Sequence, residues 1–148
     1  MLKPYDNQLR IPSDELEEMY QDNEHNYTPL KMLIGDCDVQ KEYWIDRNRK
    51  DDDVIIVFDV PSDSSWYAKW KIKRSLLKKV VSARKSNHRI IWSVNSLTKK
   101  QRSYILKALP RYRKCAVVWE TNMEEMLANG YERPCLDEGF DDFTYIVT

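Results

Sequence analysis

Asp53-Val-Ile-Ile-Val-Phe-Asp-Val-Pro61, Arg89-Ile-Ile-Trp-Ser-Val94 and Cys115-Ala-Val-Val-Trp119 are three short apolar runs, and the two segments between them carry helical spacing. Strand, helix, strand, helix, strand predicts a three-layer α/β fold, a parallel sheet with helices on both sides. The first run is β-branched and apolar on both faces before Pro61 halts it, which places it near the sheet centre. Upstream, Leu30–Ile34 reads as a further strand that ends at Gly35-Asp36, with a helix over Val39–Ile45. Downstream, Thr121 and Glu124 read as a capping box for a short helix closed by Gly130, and Phe143–Val147 as an edge strand.

The two helical segments have distinct faces. From Ser65 to Arg84, Trp66, Trp70, Leu77, Val80 and Val81 recur at i, i+4, i+7 type spacing and predict the buried stripe. The second helix begins with a capping box at Thr98 and Gln101, turns Leu97, Tyr104, Ile105 and Ala108 inward, and stops at Pro110. A length of 148 residues fits one domain. Its parts are an acidic segment over 1–29, a sheet core over 30–129 and an acidic tail over 130–148. Ser13 reads as the N-cap of a short helix carrying Asp14, Glu15, Glu17 and Glu18 in its first turns.

Charge divides the chain more sharply than hydropathy does. Between Ser64 and Trp119 there are 16 Lys and Arg and no Asp or Glu, whereas residues 1–63 sum to −9 and 120–148 to −7, so the formal net charge of zero conceals a polar molecule. The cations Lys69, Lys71, Lys73, Arg74, Lys78, Lys79, Arg84 and Lys85 on the first helix, Lys99, Lys100 and Arg102 on the second, and Arg111 and Arg113 beyond it are the candidate contacts for nucleic acid, DNA before RNA. Like charges at i and i+4 repel by about 0.2–0.5 kcal/mol per pair, a cost that a polyanion removes and that the acidic flanks could also remove. Tyr43-Trp44, beside Arg47, Arg49 and Lys50, reads either as core or as a hook for a partner.

Several functions are excluded. With three glycines, no glycine-rich loop cradles phosphate. Cys37, Cys115 and Cys135 lack metal-type spacing and both histidines stand alone, so no metal, cofactor or catalytic constellation is expected. Apolar runs fall far short of the ~20 residues of a membrane span, and Met1-Leu-Lys-Pro-Tyr-Asp lacks the apolar core of a secretory signal, which predicts a cytoplasmic protein with reduced thiols. Asp59 and the Asn95-Ser96 pair stand at strand carboxyl ends, where open α/β sheets hold ligands and where turns and helices need caps.

Lys31-Met-Leu-Ile-Gly-Asp36, Arg89-Ile-Ile-Trp-Ser-Val94, the Lys/Arg-rich helix from Leu97 to Lys107 and Cys115-Ala-Val-Val-Trp-Glu120 together resemble the delta-type subunits of DNA polymerase clamp loaders, degenerate P-loop NTPase-like domains. The resemblance implies a non-catalytic DNA-replication accessory that binds a sliding clamp, with Tyr43-Trp44 nearest to the family's apolar clamp hook. A second resemblance is to phage-type polynucleotide kinases. It rests on Ser13-Asp-Glu-Leu16, Asn95-Ser-Leu-Thr-Lys-Lys-Gln-Arg102 and Tyr131-Glu-Arg-Pro-Cys-Leu-Asp-Glu-Gly-Phe-Asp141. It implies a phosphotransferase or its inactive descendant, in which Asp14 and Asp59 are the side chains to mutate. The remaining alternative is an interaction protein whose acidic flanks meet basic partners.

Overall fold

The computed structural model describes residues 28–61 and 63–147. The expected helix at Ser13 and the acidic residues around it lie outside these. In chain order the elements are β1 (Pro29–Ile34), α1 (Asp38–Asn48), β2 (Val54–Phe58), α2 (Trp66–Lys85), β3 (Ile90–Val94), α3 (Lys99–Ala108), β4 (Arg113–Trp119), α4 (Met123–Ala128), a 3-10 turn at Leu136–Glu138 and β5 (Asp142–Ile146). The five strands form one sheet in the order β2-β3-β1-β4-β5, and every pairing is parallel. The fold is the three-layer α/β arrangement that the alternating runs predict.

Crossover direction decides which face each helix covers. The β1-to-β2 connection travels toward one edge and the later connections travel back, so right-handed crossovers put α1 on one face and α2, α3 and α4 on the other. The core divides accordingly. Leu76, Val80, Ile105, Leu106 and Met126 pack with Leu30, Met32, Trp92 and Val118 on the three-helix side. On the opposite side Ile45 and Trp44 pack with Leu33, Ile91, Val117 and Trp119. Among the described residues no helix is long and apolar enough to cross a membrane.

Three local expectations are corrected. β2 is an edge strand, with Val57 and Phe58 exposed, because the crossover from β1 carries it past the position that β3 later fills. The Thr121–Glu124 box does not form: Asn122 is the N-cap of α4, and its side chain donates to Glu125 at 3.1 Å. The largest correction concerns α2, whose Trp66 and Trp70 are exposed while Leu76, Val80 and Ala83 are buried. A 20-residue helix spans about 30 Å, against about 17 Å for a five-residue strand. The buried positions of α2 lie from Leu76 onward and Ile72 is the first side chain to pack against the core, so the turns before it extend past the carboxyl edge of the sheet.

Other local signals hold. The reciprocal bonds of Thr98 and Gln101 start α3, and Ser65 Oγ caps α2 through the Ala68 N–H at 3.2 Å. At the end of α2, Asn87 takes a left-handed φ of 55°. The Asn87 and His88 N–H groups then close onto the carbonyls of Arg84 and Ala83. Gly130, at φ 89°, ends α4 in the same manner.

Candidate nucleic-acid interface

α2 gathers cations and aromatic rings on one exposed surface. Ser65 starts the helix immediately before Trp66, and no acidic residue enters α2 at any turn. Lys71, Lys73, Arg74, Lys78, Lys79 and Lys85 are exposed and make no salt bridge among the described residues. Lys69 is exposed beside them. Several cationic heads lie over rings: Lys71 Nζ is 5.4 Å from the Tyr67 centroid, Arg74 Cζ 5.4 Å from Trp70, and Lys73 Nζ 4.4 Å from Tyr104. Tyr67 and Trp70 stack on each other, with centroids 6.1 Å apart and planes 25° from parallel.

Between α2 and α3, at the carboxyl ends of β2 and β3, this surface opens into a cleft of about 410 Å³ lined by Val60, Lys69, Lys73, Asn95, Lys100 and Tyr104. Burial pushes the Tyr104 phenol up to about 12, so it stays neutral at physiological pH. Asn95 Oδ1 accepts from the Val60 N–H at 2.8 Å and fixes the wall of the cleft. At the other end of α2, Arg84 and Arg111 flank a notch, and Arg84 also donates to the Ala108 carbonyl at 2.8 Å. The basic surface therefore follows the whole length of α2.

Not every predicted cation belongs to it. Arg102 is fully buried: its guanidinium makes two bonds to the Glu138 carboxylate, at 2.8 and 2.9 Å, and two to the carbonyls of Ser96 and Leu97, at 2.9 and 3.0 Å. The reading of Arg102 as a nucleic-acid contact is corrected, because no ligand can reach it. Arg113 is exposed but spent on Asp142, at 2.7 and 3.0 Å. Lys99 and Lys100 remain exposed on the first turn of α3, where the Lys99 N–H is held by Glu132.

The carboxyl end of β1 holds a feature that sequence reasoning missed. Gly35-Asp-Cys-Asp-Val-Gln-Lys-Glu42 keeps the glycine-to-lysine spacing of a phosphate loop, with Gln40 at its second glycine and Glu42 at its hydroxyl position. Lys41 is the signal, since it is 7% exposed at the base of α1. Burial pushes its ammonium below the usual lysine range, while Asp38, Asp59 and Asp36 oppose that shift. Only Gly35, Asp36 and Cys37 separate β1 from α1, so there is no wide backbone loop, and the nearby carboxylates would repel a phosphate. At the end of β4, Glu120 accepts two bonds from Arg133 and one from the Tyr131 hydroxyl; Arg133 holds its carboxyl below the usual range.

Tyr43 and Trp44 have different environments. Trp44 is half-buried in the α1-side core, whereas Tyr43 is exposed, with the Arg47 guanidinium donating to its hydroxyl at 3.0 Å. Both line a groove of about 420 Å³ with Val39, Trp119 and Ile146.

No protein-family model matches this chain, and no curated protein matches it in sequence.

Proposed function

We propose that this chain is a non-catalytic accessory domain that binds nucleic acid along α2 and the cleft beside it. The observation that carries the reading is the row of exposed α2 cations Lys71, Lys73, Arg74, Lys78, Lys79 and Lys85, which no carboxylate among the described residues meets. Unlike a solvated helix face of mixed sign, such a row retains its repulsion until a polyanion arrives. The replication role implied by the clamp-loader resemblance extends this reading, with Tyr43 and the groove beside it as the contact for a sliding clamp.

A second reading, an inactive descendant of a polynucleotide kinase, is favoured by two observations. The Arg102–Glu138 pair ties together two of the three segments on which that resemblance rests, and Lys41 stands at phosphate-loop spacing from Gly35. Both readings share a nucleic-acid ligand.

The test is Lys73→Gln, Arg74→Gln, Lys78→Gln and Lys79→Gln combined. The quadruple variant is expected to keep its circular dichroism and lose measurable DNA binding, and wild-type binding to weaken steeply with salt. Unchanged affinity would remove the reading. Transfer of phosphate from ATP to a 5′-hydroxyl oligonucleotide, abolished by Lys41→Met, would replace it with an enzyme.

A further inference from the structure

Trp66, Tyr67 and Trp70 are 79%, 56% and 46% exposed within the first turn and a half of one helix. An isolated exposed aromatic needs no explanation, but three within five residues, ahead of the first core contact of α2 at Ile72, form an exposed aromatic patch. Taking 3.6 residues per turn, Trp66, Trp70 and Leu77 fall within about 40° of one another, with Lys69 and Lys73 to one side and Arg74 and Lys78 to the other. Ring faces bordered by cations on both sides suit a flexible polyanion that carries flat apolar groups. Duplex DNA keeps its bases stacked inside and offers phosphates alone; a single strand offers both its backbone and its unstacked bases. An acidic peptide would match the charge and leave the rings unused.

We infer that the exposed start of α2 is a stacking platform for single-stranded nucleic acid: bases lie on Trp66 and Trp70 while Lys73, Arg74 and Lys78 hold the phosphates. The inference rests on the proposed nucleic-acid function and narrows it to single strands. Stacking does not read base edges, so binding tolerates sequence and falls with salt. Tyr67, stacked against Trp70, fixes the second ring in place.

The test uses the full chain with an oligothymidylate of about 20 nucleotides, longer than a typical single-strand site, and a duplex of equal length. Tryptophan fluorescence is expected to be quenched by the single strand and not by the duplex, because only stacked bases reach the rings. Trp66→Ala with Trp70→Ala is expected to weaken single-strand binding by about 30-fold or more, with duplex binding unchanged. Trp66→Phe with Trp70→Phe should recover most of the loss. Both positions are exposed, so the folds of these variants can be compared directly by circular dichroism. Salt-dependent binding that ignores strandedness and the alanine changes would overturn the platform and leave the nucleic-acid reading intact. If neither oligonucleotide binds, both fall. Polyglutamate competing as well as the single strand would also overturn the platform and point to an acidic protein partner.

Discussion

Removing the Arg102 guanidinium should reveal how the C-terminal segment is held. Arg102 is fully buried and makes four hydrogen bonds, two to Glu138 and two to the carbonyls that turn the chain from β3 into α3. Glu138 in turn accepts from the Cys135 N–H at 3.0 Å. Arg102→Met keeps much of the packed volume but leaves a buried carboxylate and two carbonyls without their partner, a loss of about 3–5 kcal/mol. With a urea slope of roughly 1.5 kcal/mol per M, the unfolding midpoint should fall by about 2–3 M. Glu138→Leu should cost a similar amount, since it strands the guanidinium instead. Arg102→Met with Glu138→Leu should cost less than the two combined, because no uncompensated charge remains. Urea titrations of the four proteins measure this coupling. A loss under about 1 kcal/mol for Arg102→Met, or simple additivity in the double variant, would refute the idea that the pair clamps the tail to α3.

Lys41→Met should raise stability at neutral pH. The folded lysine sits below its ordinary value, so the native state binds fewer protons than the unfolded chain between the two values; wild-type stability therefore climbs as pH rises toward the ordinary lysine range. Denaturation from pH 7 to 10 should show that climb flattened in the variant, and a parallel curve would contradict it. Gly35→Ala should lower Tm by roughly 3–10 °C, since its Cβ would stand 3.1 Å from Trp119 Cβ and 3.4 Å from the Trp119 carbonyl oxygen, in a core that cannot yield. An unchanged Tm would mean that β4 can move.

The strands and helices are legible because their signals are local: apolar runs of strand length, turn residues between them, and capping side chains such as Thr98. Sheet order is not. Val54–Phe58 is as apolar as Ile90–Val94, and periodicity cannot tell an edge from a centre when both runs are short. The same limit applies to Trp66 and Trp70, whose spacing is that of a core stripe although they precede Ile72, the first side chain of α2 to pack against the core. Helix length set against strand length could have found this, since it asks how much of a helix the sheet can bury. Arg102 was misplaced for a related reason. A cation within a basic run reads as surface until its partner is known, and Glu138 lies 36 positions away. The Gly35-to-Lys41 spacing was present in the sequence, but glycine count alone hid it.

The two ends of the site fit together once β1 is compared with α2. In an open α/β sheet the ligand crevice lies at the carboxyl ends of strands whose connections diverge, and here those ends belong to β1 and β4. At β1 that crevice is filled by Lys41 and bordered by Asp36 and Asp38, which turns a helix N-terminus that would attract phosphate into one that repels it. At β4 Glu120 is committed to Arg133 and Tyr131. Positive charge that meets no carboxylate among the described residues lies instead one strand over, at the carboxyl ends of β3 and β2, where Lys73 and Lys100 line the cleft. Under the proposed function that arrangement suits an extended strand lying along the helix rather than a nucleotide enclosed at β1.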